Sequence, residues 1–383
     1  MKFDFCVIGA TGMQGRIVTK DLLKCGYSVL LCGRDENRVK DLLKNKKTSF
    51  AYLDLKEEEK SKKIIKNSGA KVVINCAEGD FNFKALKMFA EVGVHSIDLG
   101  SDIPILKKQL AMNNKLKKKG LIHITGCGSV PGIGDVMLRY AYEKFDTIDT
   151  VKVGFSWDSN IKKFVVPFSI QSILGEFTMN APYLHNGKIE VVKPLDSAEI
   201  VYHRAIGKQK QIKVGHHPET YTFYEYCKNK GIKNLEFYAG FPEHSTEKLL
   251  AMLELGFGSE KLIDFRGMKI KPNEFLTEVL KRIKYPLGYK ETENLWVLMK
   301  GKHKGKNKEI LMECIVPPLK GWEDAGCNID TGMPASIIAQ MIFGKVITQP
   351  GSYAPEEIVP VEPFFKELRR RSMLVYENGK VIN

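Results

Sequence analysis

Short apolar runs alternate with amphipathic segments through the first 130 residues. Continuous apolar runs predict buried parallel strands, and apolar positions repeating every 3 to 4 residues between them predict helices. The strands are predicted at 5–8, 27–32, 49–55, 71–77, 95–99 and 121–124, and helices at 36–45, 57–66, 83–92 and 104–118. Strands and helices alternating at this spacing predict a doubly wound parallel sheet.

The apolar period changes to two after Asp146. Alternating stretches at 150–157, 198–205 and 234–238 predict strands with one buried face, and 295–300 with 309–316 predict a hairpin. Helices are predicted between them, at 245–255 and 272–283. This middle region therefore predicts an α+β domain with a mostly antiparallel sheet. The helical period returns at 332–342.

A glycine-rich turn follows the first strand at once, and an apolar helical face follows the turn. In such a turn Gly9 would permit the tight exit from the strand, Gly12 the close approach of a diphosphate, and Gly15 the close packing of the helix. Free N–H groups at the helix N-terminus suit an anion. The alternative is a tight turn that binds nothing. We predict a dinucleotide site formed by Gly9, Thr11, Gly12, Met13, Gln14 and Gly15.

Arg34 ends the second strand. At this position an acidic residue binds the ribose of NAD, whereas an Arg accommodates the 2′-phosphate of NADP. We therefore favour NADP as the cofactor, with NAD as the alternative, because Asp35 follows Arg34 and could face a ribose. Asp54, at the end of the third strand, is a candidate for the adenine amino group or for a helix cap. Ligands collect at the carboxyl ends of parallel strands, so further cofactor contacts are predicted at Asn75, Cys76, Ala77, Gly126 and Pro131.

The fold class that these patterns predict is α/β. We expect a Rossmann domain with a doubly wound parallel sheet from residues 1–140 and 331–383, because the tail should pack back on the first sheet. Residues 141–330 should form the α+β domain that binds the substrate. Exposed edge strands of this second domain are a plausible dimer surface, so we expect a homodimer.

Composition excludes several other classes of protein. The net charge is +14, but the lysines are spread over helix faces and do not form a nucleic-acid-binding stripe. The eight cysteines lack C-x-x-C spacing, which argues against a metal site or a disulfide framework. The chain shows neither a signal peptide nor an apolar run long enough for a membrane span. We expect a cytoplasmic protein with a small-molecule substrate.

With these elements in place, the whole chain resembles the saccharopine dehydrogenase-like family, which includes saccharopine reductases, lysine 6-dehydrogenases and carboxynorspermidine dehydrogenases. The match rests on the opening glycine loop with Arg34, on the Pro-Gly turn at 128–133, and on the segments 331–337, 354–357 and 362–368. Val130 departs from the reductases, which usually have Asp before the Pro-Gly turn. The resemblance implies NAD(P)-dependent hydride transfer at the C–N bond of an amino acid or amino-acid conjugate, such as a saccharopine- or lysine-like substrate.

That chemistry needs a proton carrier near neutral pH, which is a His or a carboxyl group with a raised pKa. Candidates stand where the two domains should meet. We predict Glu78, Glu176 and His217 as catalytic residues, and Asp102, Arg204 and Glu219 as substrate-binding residues. For each of them, helix capping or a surface position is the competing interpretation.

Two other functions remain open at this stage. One is an enoyl or carbonyl reductase of a lipid-like substrate, which an apolar groove without a cationic clamp would favour. The other is a catalytically silent NADP-binding regulator, which would lack any acid or base near the nicotinamide.

Overall fold

The computed structural model describes residues 2–77, 79–166, 169–215 and 217–383, apart from the side chain of Gln171. In the first third of the chain the strands are β1 (Phe5–Ile8), β2 (Val29–Gly33), β3 (Thr48–Tyr52), β4 (Val72–Asn75), β5 (His95–Asp98) and β6 (Ile122–Ile124). The helices there are α1 (Met13–Lys24), α2 (Glu58–Ser68), α3 (Asn82–Val92), α4 (Ile103–Leu110), α5 (Asn113–Lys119) and α6 (Ile133–Tyr142).

The strands of the middle region are β7 (Thr147–Ser159), β8 (Ala181–His185), β9 (Lys188–Val192), β10 (Glu199–His203), β11 (Gly207–Lys213), β12 (Asn234–Gly240), β13 (Ile263–Phe265), β14 (Met268–Ile270), β15 (Glu291–His303) and β16 (Lys306–Val316). Its helices are α7 (Ile170–Thr178), α8 (Glu219–Cys227), α9 (Glu243–Glu254) and α10 (Pro272–Leu280). The tail contains α11 (Ile329–Phe343), β17 (Gly351–Tyr353), α12 (Pro355–Ile358), α13 (Val361–Arg370), β18 (Leu374–Glu377) and β19 (Lys380–Val381).

The first sheet is parallel and has seven strands in the order β17-β6-β5-β4-β1-β2-β3. Strand β1 lies inside it, with Phe5 level with Val29 on one side and Val72 on the other. All four residues of β1 are buried, which is why this strand is an unbroken apolar run. The predicted doubly wound sheet is confirmed, and the tail supplies a seventh strand that the six-strand prediction lacked.

Two predicted helices differ from the structure. Residues 36–45 form two short 3₁₀ helices, Glu36–Val39 and Leu42–Lys44, and the first is capped by Asp35, whose carboxylate accepts from Asn37 N. The segment predicted as one helix at 104–118 is split into α4 and α5. In both places the apolar spacing is helical, and it does not show where a short turn interrupts the helix.

The second sheet is mixed. Its main order is β10-β11-β12-β7-β15-β16-β18-β19; off this path β8 pairs with β12, and β9 pairs with β8. The β15–β16 hairpin confirms the predicted one, and β15 also pairs antiparallel with β7. The pairing of β12 with β7 is parallel, as in Asn234 with Thr150, whereas the other described ladders of this sheet are antiparallel. The mostly antiparallel second sheet is therefore confirmed.

The tail contributes to both sheets. Helix α11 is apolar around most of its circumference and packs on α1, β4 and β5, and β17 joins the first sheet. Strands β18 and β19 instead extend the second sheet from β16, where Val375 is fully buried. The division of the chain into domains at residues 140 and 330 stays a prediction. In the described residues no helix is long and apolar enough to span a membrane.

Candidate active site

The glycine loop closes tightly against strand β4. Gly9 has a φ of +75°, and a Cβ there would lie 2.8 Å from the carbonyl carbon of Cys76. A Cβ on Gly15 would lie 2.2 Å from the carbonyl oxygen of Gly9. Both separations are too short for real atoms, so glycine alone permits this turn. Gly12 precedes the first residue of α1, and the first turn of this helix carries no acidic residue that would repel an anion.

The other predicted residues of the loop contact elements on both sides of it. Thr11 lies against the end of β2, because a Cβ on Gly33 would be 2.7 Å from its methyl group. Gln14 Nε2 donates to Asn328 Oδ1 over 3.1 Å, just before α11 begins. Met13 is exposed. The loop is therefore held between β2 and the start of α11. Within it, Ala10 N donates to Cys32 O and Gly12 N to Gly9 O, at 3.0 and 2.9 Å, so the N–H groups that suit a ligand are those of the first turn of α1.

A cavity of about 510 Å³ opens beside this loop. Arg38 contributes to its wall, whereas Arg34, at the end of β2, is exposed outside it. The cavity is lined by Thr11, Met13, Arg16, Ile17, Lys20, Arg38, Asp41, Leu42, Trp322, Asp324 and Ala325.

Among the cations of this cavity, Arg16 is already paired. Its guanidinium donates to both carboxylate oxygens of Asp41, at 2.9 and 2.7 Å, and the hydrogen bonding to Asp41 raises its pKa. Lys20 lies over the ring of Trp322, 4.4 Å from the centroid. The sequence analysis did not name Arg38 as a site residue. The available signal was its positive charge, four residues after Arg34.

Side chains at the carboxyl ends of β4 and β6 are held inside the protein. Asn75 donates to Asn82 Oδ1 over 2.8 Å and accepts from Ala77 N over 3.3 Å. Gly126 has a φ of +75°, and a Cβ there would touch Pro131 at 3.0 Å. These residues therefore shape the edge where a cofactor is predicted.

A buried polar network fixes the ends of β5 and β6 at the same edge. Asp98 accepts from Gln109 Nε2 at 2.6 Å and from Thr125 Oγ1 at 2.9 Å. Burial raises the pKa values of the nearby Cys76 and Cys127 thiols, which keeps both thiols neutral and poor nucleophiles.

Two of the predicted site residues form local hydrogen bonds. Asp54 accepts from Lys56 N over 2.9 Å. Asp102 caps helix α4 by accepting from Ile105 N over 2.8 Å. The Asp102 bond matches the capping interpretation, whereas the Asp54 bond closes a turn ahead of Glu57, the N-cap residue of α2. Glu78, predicted as catalytic, lies outside the described residues.

Arg204 is placed with strands β16 and β18. Its Nε lies 3.5 Å from Glu313 Oε2, and its guanidinium lies 5.1 Å from the centroid of the Tyr376 ring. Among its described partners neither Glu176 nor His217 occurs. Its proposed contact with a substrate carboxylate stays a prediction.

Three of the predicted residues do come together. His217 Nε2 lies 3.2 Å from Glu176 Oε1, and His217 Nδ1 lies 3.8 Å from Glu219 Oε2. The imidazole stacks on Phe237, with ring centroids 3.6 Å apart and planes 10° apart. The side chain of His217 is 12% exposed, against 6% for Glu176 and none for Glu219. An oriented imidazole between two carboxyl groups, with a small accessible area, can exchange a proton with a bound molecule.

Two further carboxyl groups lie behind Glu219. Asp135 on α6 and Glu356 on α12 lie next to each other, and Asp135 Oδ2 accepts from Gly132 N over 2.7 Å. Burial raises the pKa values of Asp135, Glu219 and Glu356 well above the usual range. The charge of Asp135 also raises the pKa of Cys127, which follows β6. The carboxyl groups Asp135, Glu219 and Glu356 therefore adjoin the edge of the first sheet.

A second carboxyl pair stands at the start of α11. Asp330 adjoins Glu293 of β15, and burial raises the pKa of Asp330 to about 7. The next residue, Thr331, donates to Ser129 Oγ over 3.4 Å, in the Pro-Gly turn. The start of α11 thus lies beside both that turn and the glycine loop.

Sequence reasoning missed these two pairs. The members of each pair are far apart in the chain. The only signal was an acidic residue among apolar neighbours, directly after a Gly or Pro, as at Asp135 and Glu356. Within the described ranges, no group of three or more His, Cys, Asp or Glu is placed to hold a metal ion.

A parallel sheet with a glycine cradle, joined to a second sheet that brings an acid–base group to its carboxyl edge, defines a dinucleotide-dependent oxidoreductase. The comparisons with known proteins identify the family. Residues 5–124 match the model of the saccharopine dehydrogenase NADP binding domain, and residues 105–373 match that of the saccharopine dehydrogenase C-terminal domain. The chain belongs to the saccharopine dehydrogenase family.

Similar proteins agree with this assignment. A carboxyaminopropylagmatine dehydrogenase from Synechocystis is 23% identical over 382 residues, which cover 94% of each chain. The apo saccharopine dehydrogenase (L-Glu forming) of Saccharomyces cerevisiae superposes with a TM-score of 0.78 at 13% identity and covers all of both chains. The latter likeness shows a shared fold. The chain is an oxidoreductase acting on CH–NH donors, with NAD(P) as its cofactor.

Proposed function

We propose that this enzyme transfers hydride between NADP and the C–N bond of an amino-acid conjugate that carries a second basic group. The observation that carries the proposal is the group formed by His217, Glu176 and Glu219, which adjoins the edge of the first sheet through Asp135. The acid-rich surroundings suit a substrate with a protonated amine or guanidinium group. The similar carboxyaminopropylagmatine dehydrogenase has a substrate named for such a group.

The chain's own residues supply binding, orientation and proton handling. The close contacts at Gly9 and Gly15 leave a cradle that fits a diphosphate, and Arg34 and Arg38 are the cations proposed for the 2′-phosphate. NADP, when bound, supplies or accepts the hydride. His217 Nε2 lies 3.2 Å from Glu176 Oε1, so the two groups share a proton. We assign to this pair the transfer of that proton to or from the substrate nitrogen.

The remaining predicted residues keep their proposed roles. Asn75, Cys76, Ala77, Gly126 and Pro131 border the cofactor at the strand ends.

An oriented imidazole supports an active enzyme over a silent regulator. The polar groups around it favour an amine substrate over a lipid-like one, because an apolar chain would leave the oxygens of Glu176 without a hydrogen-bond donor. Homodimer formation and a cytoplasmic location stay predictions.

The test is a reduced-nicotinamide absorbance assay with NADPH and NADP. The panel contains saccharopine, lysine, a carboxyaminopropyl amine conjugate and an enoyl thioester. We expect turnover with an amine conjugate and none with the thioester. His217→Gln should lower kcat by roughly 10²-fold, the lower end of what general acid–base catalysis contributes, and should leave NADPH binding unchanged. Turnover of the thioester alone would overturn the proposal.

A further inference from the structure

Three carboxyl groups from three separate elements meet behind His217. We call Asp135, Glu219 and Glu356 the buried carboxyl set; they come from α6, α8 and α12. Each is at most 1% exposed. In the described part of the chain, Asp135 Oδ1 and all four carboxyl oxygens of Glu219 and Glu356 find no N–H or O–H donor. The proposed reaction does not require Asp135 or Glu356, so their burial needs another explanation.

The contact between Asp135 and Glu356 requires a proton. Two carboxylates in contact repel each other, and a carboxyl–carboxyl hydrogen bond forms only when one partner is protonated. Burial adds to this, because a charged oxygen without a donor is costly in an apolar interior. Glu219 lies in the same electrostatic neighbourhood, since Glu356 and Glu176 both raise its pKa in addition to burial. The protonated, neutral form of these carboxyl groups is therefore favoured.

Glu219 brings this set to one side of the imidazole, where its Oε2 and His217 Nδ1 are both buried without a hydrogen-bond partner among the described residues. Glu219 Oε2 lies 3.8 Å from Nδ1, whereas Glu176 Oε1 lies 3.2 Å from Nε2. Stacking on Phe237 of β12 prevents the ring from turning to exchange these partners. The described titratable groups that face the imidazole are Glu176 of α7 and Glu219 of α8, with Asp135 and Glu356 behind Glu219.

We propose that Asp135, Glu219 and Glu356 are positioning residues, which keep Glu219 a neutral hydrogen-bond donor toward Nδ1 of His217. The imidazole then carries its proton on Nε2, where Glu176 accepts it. If Glu219 were ionised instead, it would draw the proton to Nδ1 and leave none to exchange on the Nε2 side. This inference rests on the proposed role of His217 in proton transfer.

The test reads the tautomer of His217 directly. We would record ¹⁵N spectra of the imidazole in the full-length protein at neutral pH, and assign the His217 signal by its loss in His217→Gln. The expected wild-type state is the Nε2–H tautomer. Nδ1 should accept a hydrogen bond from the Glu219 O–H in the wild type and from the amide N–H in Glu219→Gln, whereas in Glu219→Ala its ¹⁵N signal should move to the value of a nitrogen without a donor. A wild-type imidazole protonated on Nδ1, or an Nδ1 signal that is unchanged in Glu219→Ala, would overturn the proposal.

The set itself is tested through Glu356→Gln, with Glu357→Gln as the matched control. Glu357 is the next residue on α12, is exposed, and accepts from Ala354 N. Removing the charge of Glu356 favours ionisation of Glu219, so the proton should move toward Nδ1 in Glu356→Gln and stay on Nε2 in the control. An unchanged tautomer in Glu356→Gln would contradict the role of the set, and the Glu219 variants decide the proposal even if Glu356→Gln fails to fold.

Kinetics separate positioning from folding. Glu219→Ala should lower kcat by at least about tenfold, a part of the 10²–10⁴ that general acid–base catalysis contributes, and Glu219→Gln should restore it. KM for NADPH should be unchanged in both variants. Equal losses of kcat in both would contradict the proposal. The tautomer measurement does not depend on turnover. It can contradict the positioning role while His217→Gln still shows that His217 is catalytic, and it can support the positioning role even if His217→Gln keeps full activity.

Discussion

Comparing a methyl group added at Gly15 with one added at Gly12 should distinguish the residue that packs the glycine loop from the residue that forms its binding surface. In Gly15→Ala the new Cβ would lie 2.2 Å from the Gly9 carbonyl oxygen and 2.7 Å from Ala10 Cα, both backbone atoms. The backbone must therefore move by about 1 Å, and we expect a cost near the upper end of the ~1–3 kcal/mol typical of overpacking. In Gly12→Ala the nearest atom is 3.3 Å away, so this fold should tolerate the methyl group.

The two variants should therefore fail in different ways. At about 2–4 °C per kcal/mol for a unit of ~200 residues, a loss of ~3 kcal/mol lowers the melting temperature of Gly15→Ala by about 6–12 °C. Gly12→Ala should melt within about 2 °C of the wild type and yet bind NADPH at least tenfold more weakly, at ~1.4 kcal/mol per tenfold, because its methyl group occupies the approach of the diphosphate. Thermal unfolding without ligand and NADPH fluorescence titration measure both effects. Wild-type melting and binding in Gly15→Ala would refute the loop geometry.

Other variants test the cofactor site, the tail and the carboxyl pair at α11. Arg34→Ala and Arg38→Ala should each weaken NADP much more than NAD in binding titrations, and equal losses for both nucleotides would count against a 2′-phosphate site. Arg371 donates to both oxygens of buried Asp21, at 2.9 and 2.8 Å, so Arg371→Met should destabilise the protein by about 3–5 kcal/mol in denaturant unfolding, and a loss below ~1 kcal/mol would contradict this. The pKa of Asp330 is raised from 3.8 to about 7, so the folded state holds this proton more tightly than the unfolded state, and stability from this group falls as pH rises between these values. Asp330→Asn should therefore gain melting temperature relative to wild type as pH rises from about 4 to about 7, and a pH-independent difference would refute the assignment.

Local features of the site could be predicted from the sequence because each depends on a short segment. The glycine loop needs only a strand, three small residues and a helix, and the contacts at Gly9 and Gly15 match the roles expected of them. His217 and Glu176 were singled out by residue type near a glycine or proline break, and the structure brings them within 3.2 Å.

Long-range pairings could not be predicted in this way. Asp135 meets Glu356 across 221 residues, and Asp330 of α11 meets Glu293 of β15, but neither member of a pair signals its partner. The same reason explains why the whole tail was expected to pack on the first sheet, although its last two strands, β18 and β19, extend the second one. Their apolar pattern requires burial and does not say on which sheet.

The central claim is that hydride passes to or from a carbon bonded to nitrogen. We would incubate the enzyme with NADPH deuterated at nicotinamide C4, an amine and a keto acid, and locate the deuterium in the product by mass spectrometry and NMR. The account predicts one deuterium on the carbon of the new C–N bond, and none when His217→Gln replaces the wild type over the same time. Deuterium on a carbon bonded to oxygen, or at a reduced C=C bond, would contradict it.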